Sequence, residues 1–302
     1  MPTTTVLMPV YNGADYVEES IDSILKQSYR DFELLIVNDA STDDTLERID
    51  RIKDARIRVI SHSENQGSGE AGNTGWKNSD SRYVALMDHD DIADPRRLEK
   101  QVLIMNAQPR LTVCGGQMHC FGDAETDVVA PLTDGQIKAN LLAGAANIYN
   151  PTAMIRRQPV DKLDVRWRAE WKAIHDWAFW SELMILGARF RNHPDNLLNY
   201  RSHVAQQSKD LTAHRPLLAK NRLRIMAIFF PQLDMEEMIA LEPLLQWVGP
   251  PQLTRSEVTA GLAALSKTLN RPASRLGEDR ATLDSFLSTC QTRWENAMTP
   301  RP

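Results

Sequence analysis

Cysteine is scarce and unorganised in this chain. Cys114, Cys120 and Cys290 are the only three among 302 residues. Their spacing matches neither a metal-ligand set nor a redox pair, and an odd count without a framework fits a reducing compartment. Positive charge is not in excess either: 35 Lys and Arg stand against 40 Asp and Glu, for a formal charge of -5, so no global basic field points to nucleic acid. No uninterrupted apolar run approaches the roughly 20 residues that a membrane span needs. The opening Met1-Pro2-Thr3-Thr4-Thr5 lacks the basic stretch and apolar core of a secretory signal. These absences lead to the expectation of a soluble, cytoplasmic protein with no nucleic-acid partner. What is present is an ordinary globular composition, 42% apolar and 25% charged, in a length that suits one large domain or a domain with an appendage.

The most informative segment is an apolar run, Tyr83-Val84-Ala85-Leu86-Met87, followed by Asp88-His89-Asp90-Asp91. The run reads as a buried strand, and the acids fall where its carboxyl end opens into a crevice, which in open α/β sheets is where ligands bind. Clustered carboxylates repel one another unless a cation lies between them, and a hard divalent ion suits oxygen ligands. Asp-x-Asp at a strand end therefore suggests a metal holding a phosphate-bearing substrate. Asp-rich turns are also common in plain solvated loops, so the weight of this one comes from its neighbours.

Those neighbours alternate strand and helix. Val6-Leu7-Met8 ends at the turn-forming Pro9-Val10-Tyr11-Asn12-Gly13, and Val17, Ile21, Ile24 and Leu25 then recur at helical spacing. Leu34-Leu35-Ile36-Val37 runs into Asn38-Asp39-Ala40-Ser41-Thr42-Asp43-Asp44, where Ser41 and Asp44 have capping-box spacing. Ile57-Arg58-Val59-Ile60 is a third strand, and a Gly-rich segment from Gly67 to Gly75 enters another helix. Asp94-Pro95 reads as the start of the next helix. Such alternation implies right-handed crossovers and a mostly parallel sheet covered on both faces. Parallel strands then place Tyr11-Asn12, Asn38-Asp39 and Asp88 to Asp91 along one edge, and one crevice explains all three. From Thr112 to about Tyr200 the pattern is mixed, with a helix beginning near Asp176 and ending at Gly187. Beyond about Asp210 it is helical, over Leu223 to Phe230, Met235 to Leu245 and Val258 to Leu269, with a polar, frayed end. The expected division is 1–210 for the catalytic domain and 211–302 for a helical extension.

Six motifs in this order resemble the inverting nucleotide-sugar glycosyltransferases of family 2, over roughly residues 5–210. Met8-Pro9-Val10-Tyr11-Asn12 looks like the family's opening Pro-x-Tyr-Asn. Val37-Asn38-Asp39-Ala40-Ser41-Thr42-Asp43 looks like its Val-Asp-Asp-Gly-Ser-x-Asp. Glu64-Asn65-Gln66-Gly67 and Ala71-Gly72-Asn73-Thr74-Gly75 look like Asn-x-Gly followed by Ala-Arg-Asn-x-Gly. Asp88-His89-Asp90-Asp91 is similar to the metal motif, and His175-Asp176-Trp177 to the segment carrying the catalytic base. Tyr200-Arg201-Ser202-His203 and Gln206-Gln207-Ser208 resemble the closing Arg-x-His and Ser.

The resemblance implies a GT-A fold, Rossmann-like and mainly parallel with flanking helices, ending here in a helical appendage. It implies metal-assisted transfer, with inversion, from a nucleotide-diphosphate sugar to the hydroxyl of a carbohydrate or glycolipid acceptor, the family's habit being cell-surface polysaccharide or glycolipid synthesis. Pro9, Tyr11, Asn12 and Asp39 would line the nucleotide slot, with Asn65, Gly67 and Asn73 shaping its wall. Asp88 would contact the ribose or the metal's water shell. Asp90, with Asp91 as a second candidate, would ligate Mg²⁺ or Mn²⁺, supported by His203 with Arg201 or Ser208 nearby. Asp176 would take the acceptor proton, His175 being a weaker candidate, and an acid at a helix start is also an ordinary cap. Two departures bear on the donor. Asn38 replaces the first of two aspartates, and Gly72 replaces an arginine whose loss removes a charge-assisted contact of about 1–3 kcal/mol. Uridine therefore does not follow from the motif.

Several segments carry two readings. Trp171 and Trp177 could stack on a sugar or fill a core. Arg156 and Arg157, beyond Asn150-Pro151-Thr152, read as surface charges. Arg222 to Phe230 joins basic and apolar residues and suits either a helix packed on the domain or a peripheral membrane contact near a lipid-linked acceptor. A non-catalytic nucleotide-sugar-binding or assembly protein is the alternative function. A nucleotidyltransferase ranks low, because Pro9 to Asp15 has no basic phosphate loop.

Overall fold

The computed structural model describes residues 2–203, 214–247, 251–269 and 280–298. Gln206, Gln207 and Ser208, named in the closing motif, lie outside them. The chain opens with strand β1 (Thr4–Val10), helix α1 (Val17–Leu25), β2 (Phe32–Asn38), α2 (Thr45–Arg51), β3 (Ile57–Ser61), α3 (Ser68–Lys77) and β4 (Tyr83–Leu86). The two-residue β5 (Ile92–Ala93) precedes α4 (Arg97–Ala107). Then come β6 (Val113–Gly122), β7 (Thr126–Val128), α5 (Asp134–Ala143), β8 (Met154–Arg156), α6 (Arg157–Leu163), α7 (His175–Ile185) and β9 (Phe190–Ser202). Four helices close the chain: α8 (Arg215–Phe229), α9 (Met235–Leu245), α10 (Arg255–Thr268) and α11 (Arg280–Met298).

The nine strands of the described residues form one sheet in the order β3-β2-β1-β4-β8-β6-β9-β5, with β7 paired to β6. The first four are parallel, as right-handed strand-helix-strand units require. β8 is antiparallel to β4 and β6, while β9 runs parallel to β6 and meets β5 antiparallel. The result is the α/β, mainly parallel sheet flanked by helices that the alternation predicts.

The period of two along the central strands explains why both faces are covered. Val6, Met8, Leu34, Ile36, Tyr83 and Ala85 face one layer, where Val17, Ile21 and Ile24 of α1 and Leu98, Val102 and Met105 of α4 pack. The intervening Leu7, Leu35, Val37, Val84 and Leu86 face the other. There Gly75 lets α3 lie close on β1, since a Cβ at that position would come 1.9 Å from Leu7 Cδ1.

The second layer does not stop at residue 210. The same apolar cluster runs on through Ile225, Met226 and Phe229 of α8, Leu241 and Leu244 of α9, Leu265 of α10, and Leu287 and Trp294 of α11. The helices beyond 211 therefore share a core with the sheet. The last of them was not expected. Leu283, Leu287, Cys290 and Trp294 are its buried stripe, an i, i+4, i+7, i+11 pattern in a segment read as polar and frayed. α11 lies against α5, and Trp294 donates to the Leu244 carbonyl at 2.9 Å.

Other expectations need revision. Arg156 is not a surface charge: it is 8% exposed and donates to the carbonyls of Leu111, Met105 and Gln108. Arg157 is half-buried, held by Asp161, the Trp76 carbonyl and Ser79. Of the two readings of the basic and apolar stretch of α8, its contacts fit a helix packed on the domain. Arg222 is buried, bonded to the Leu142 carbonyl and paired with Glu242, while Ile225, Met226, Phe229 and Phe230 are in the core. Ser41 does not cap α2; its hydroxyl accepts from the Asn12 amide instead.

If the C-terminal helices belong to one cooperative core, Trp294→Ala should lower the stability of the whole chain. A loss of about 3–5 kcal/mol is expected for a large aromatic cut back in a core. Urea unfolding followed by both tryptophan fluorescence and circular dichroism should show a single shifted transition; two separate transitions, or no shift, would contradict a shared core.

Candidate active site

The polar clusters of β1, β2 and β4 meet at one edge, and their contacts are made by residues the motifs contain. Asn12, in left-handed backbone at φ 50°, accepts from the Thr42 amide at 2.8 Å, and its own amide donates to Ser41 Oγ at 3.0 Å. The loops after β1 and β2 are thereby tied together. Ala40 also sits at positive φ, 58°, where the motif it resembles has glycine. Pro9 is half-buried, while Tyr11 is 40% exposed at the rim.

Asp39 is almost wholly buried, and its carboxylate is occupied. Oδ1 accepts from the Gln66 amide at 2.9 Å and meets His62 Nδ1 at 2.7 Å, while Oδ2 accepts from the Gly67 amide at 2.7 Å. Asn65 donates to the Asp39 carbonyl at 3.4 Å. Gly67 at φ 88° makes the turn into α3, a conformation that L side chains avoid. Asp39 thus fixes the shape of the second wall of the edge. His62 completes this arrangement, its other nitrogen 2.9 Å from Thr74 Oγ1. Only the β2–β3 register, Asn38 opposite Ser61, puts it there. Nothing in the motif names it.

Gly72 is explained by Trp167. A Cβ at residue 72 would lie 3.3 Å from the Trp167 indole, which stacks on Phe179 at 4.3 Å and meets Trp76 edge-on. Asn73 clamps the same residue, donating to the Trp167 carbonyl at 2.7 Å and accepting from its amide at 3.1 Å. The indole fills the space that an arginine would need. The same stack docks the segment leading into α7 against α3, bringing His175 Nε2 to 3.5 Å from Ser68 Oγ. Trp171 and Trp177 serve packing: Trp171 is 2% exposed beneath Lys220 and Arg224, and Trp177 donates to the Leu141 carbonyl.

The acids after β4 are reached from far along the chain. β5 pairs with β9, Ile92 opposite Asn199, and this short ladder carries residues 200–203 to the Asp loop. Arg201 donates through Nε to the Asp90 carbonyl at 2.8 Å and through its amide to Asp91 Oδ1 at 2.9 Å, and it pairs with Glu19. Its guanidinium lies over the rings of Tyr16 and Phe121. His203 Nε2 stands 2.9 Å from Asp90 Oδ2. Asp91 is fully buried, with Oδ2 lacking a hydrogen-bond partner among the described residues, and burial with its acidic neighbours pushes its carboxyl well above the usual range.

Asp88 is the electrostatic centre of the group. Loss of water, then the charges of Asp90 and Asp176, push its carboxyl up from 3.8 to about 7, with Arg97 pulling the other way. Asp176, in the first turn of α7, is therefore near enough for its charge to act on Asp88 although it lies 88 residues beyond it. Arg97 is fully buried, donating to the Leu86 carbonyl at 2.6 Å and to Gln101, and desolvation lowers it to about 10. This buried cation under the acids is invisible in the sequence, where it reads as one more charge near a helix start. His89 is likewise packed away: a Cβ on Gly13 would come 2.3 Å from its ring.

A carboxylate-rich edge at the carboxyl ends of parallel strands, walled by a glycine turn and two tied loops, is the design of an α/β protein that binds an anionic ligand through a cation or polar groups. The family described as glycosyl transferase family 2 matches residues 5–164, and the chain belongs to it. An uncharacterised glycosyltransferase of Haemophilus influenzae is 32% identical over 219 residues, 68% of this chain and 68% of that protein. Other curated relatives match over about a third of this chain. Among solved structures, Staphylococcus aureus TarS 1–349 in complex with UDP-GlcNAc superposes with a TM-score of 0.67 at 17% identity, covering 99% of this chain and 93% of that one. The mannosyltransferase PcManGT of Pyrobaculum calidifontis, in complex with GDP-Man and Mn²⁺, does so at 0.57 and 19% identity, covering 99% and 88%. Glycosyl transfer is the family's activity, and the fold is that of GT-A glycosyltransferases.

Crowded acids cost stability when no ligand neutralises them. The Asp88 carboxyl is raised in the folded state, so its penalty is absent near pH 4 and grows as pH rises to about 7. Asp88→Asn should accordingly stabilise the ligand-free protein in chelator by about 1–2 kcal/mol at pH 8 and leave it unchanged near pH 4. Urea titrations at the two pH values measure this; equal effects at both would refute it.

Proposed function

We propose that this chain catalyses inverting transfer of a sugar from a nucleotide-diphosphate donor to an acceptor hydroxyl, with Asp176 as general base. The observation that carries the reading is that the Asp88 carboxyl lies within range of the charges of both Asp90 and Asp176. Displacement at the anomeric carbon with inversion needs a carboxylate to take the acceptor proton on the side opposite the leaving group. Asp176 comes from a different wall than the acids of the β4 loop, which suits that division of labour. His175, beside Ser68, is on the same acceptor side.

Mg²⁺ or Mn²⁺ is the cofactor we assign. Among the described residues no three His, Cys, Asp or Glu form a closed set for an ion, and the donor chemistry fits an ion that shares its shell with substrate. Such ions take one or two carboxylates and complete coordination with phosphate oxygens and water. Asp90 would hold it, with His203 at its carboxylate and Asp88 facing the ribose or the ion's water. Bound there, the ion would neutralise charge on the departing diphosphate. Asp91 has a different task in this reading: buried and bonded to the Arg201 amide, it anchors the strand that delivers Arg201 and His203. Tyr11, Pro9 and Asn12 would form the base slot, and Asp39, Asn65, Gly67 and Asn73 act on the nucleotide through the wall they hold.

The donor complexes named for the two structural neighbours suggest which sugars to try, UDP-GlcNAc and GDP-Man. The acceptor is a carbohydrate or a glycolipid. Among the described residues no helix is long and apolar enough to cross a membrane, and the apolar stripe of α8 is spent on the core.

A panel of nucleotide sugars, scored for Mn²⁺-dependent thermal stabilisation and for hydrolysis or transfer, tests this directly. Asp90→Ala should abolish the Mn²⁺-dependent part of donor binding. Asp176→Asn should keep donor binding and lose about 10²–10⁴-fold in turnover. Full activity in Asp176→Asn would remove it as the base; donor binding without turnover by any donor-acceptor pair would favour a non-catalytic nucleotide-sugar-binding protein.

A further inference from the structure

The geometry points to a second binding site, for a phosphate group, free or carried on a small sugar, on the edge of the sheet opposite the acids. Tyr83 opens β4 and pairs with Arg156, the last residue of antiparallel β8, whereas the Asp loop follows the other end of β4. A cavity of about 500 Å³ lies at the Tyr83 end, lined by Ser81, Arg82, Pro109, Arg156, Arg157 and Gln158, with Asp161 at its margin. That volume is within the range of pockets that hold small organic ligands, about 300–1,000 Å³. It is larger than a bare ion needs.

Its charge is the second observation. Arg156 is 92% buried by its 8% exposure, and its guanidinium is satisfied entirely by neutral acceptors: the carbonyls of Leu111, Met105 and Gln108 and the Tyr83 hydroxyl at 3.2 Å. Among the described residues no carboxylate pairs with it. Arg82 shares the same aromatic ring, the two guanidinium carbons lying 5.1 and 5.2 Å from the Tyr83 centroid. Two like charges on one ring repel unless an anion joins them. Arg82 has no hydrogen-bond acceptor or carboxylate partner for its guanidinium among the described residues. Arg157 is fixed beside it, its backbone amide donating to the Arg82 carbonyl at 3.1 Å. Asp161, the carboxylate among the lining residues, is divided among Arg157 at 2.8 Å, Arg166 at 3.5 Å and Trp76 Nε1 at 2.7 Å.

Three guanidinium groups around a concavity, with one overdrawn acid, make a positive pocket in a chain of net charge -5. Guanidinium forks match phosphate oxygens in pairs. The buried Arg156 supplies a fixed field, Arg82 supplies unoccupied donors, and the Gln158 amide at the rim is placed to read an attached organic group. None of these residues belongs to the proposed transfer site, and the inference stands or falls separately from it.

Calorimetric titration of the full chain in chelator, at constant ionic strength, tests it with inorganic phosphate and glucose 6-phosphate as probes and chloride as control. Saturable binding of at least one phosphate probe is expected. Arg82→Glu should weaken it roughly tenfold or more, as loss of a charge-assisted contact does, and Gln158→Glu should weaken it by repulsion. Both residues are exposed, and circular dichroism should show both variants folded. Tighter binding of glucose 6-phosphate than of phosphate assigns the pocket to a phosphorylated sugar; equal binding assigns it to free phosphate. A response no greater than that to chloride, or unchanged affinity in both variants, overturns the proposal.

Discussion

The structure turns on a repulsion that folding does not relieve. The Asp88 carboxylate at the carboxyl edge of the sheet is held within reach of the charges of Asp90 and Asp176, and a buried Arg97 only partly offsets them. Proteins keep such strain where a ligand relieves it. Everything around the acids serves to hold them: the β5–β9 ladder delivers Arg201 and His203, and the Trp167 stack delivers Asp176. The sheet itself fixes Asp88 to Asp91 beyond β4.

The walls are built by a different means, hydrogen bonds between loops. Asn12 joins the loops after β1 and β2, and Asp39 gathers two backbone amides and His62 around the Gly67 turn. The polar residues that look like ligand contacts in the sequence are thus partly spent on the scaffold. In the proposed function, a nucleotide slot with such rigid walls would be preorganised, so less binding energy would go into ordering it.

Much of this was legible in the residue order. Period-two strands alternating with amphipathic helices gave β1 to β4, and parallel strands then required the three polar clusters to share an edge. What was not legible depends on pairing between distant segments. His62 gains its place from strand register, and Arg97 from the depth at which α4 packs. Arg156 sits at the end of a three-residue strand, whose burial no local pattern announces. α11 was missed for another reason: its stripe of Leu283, Leu287, Cys290 and Trp294 has helical period, but the surrounding polar residues mask it. Gly72 reads in the sequence as a lost arginine; in the fold it is the seat of Trp167.

The direct measurement of the central claim is the titration of the Asp88 carboxyl, followed by ¹³C NMR in the wild-type chain and in Asp176→Asn under chelation. If the acids share one crevice, Asp88 titrates near pH 7 in the wild type and shifts downward when the charge at residue 176 is removed. An Asp88 that titrates in the ordinary carboxylate range, or that ignores the substitution, would mean that these groups do not face a common ligand.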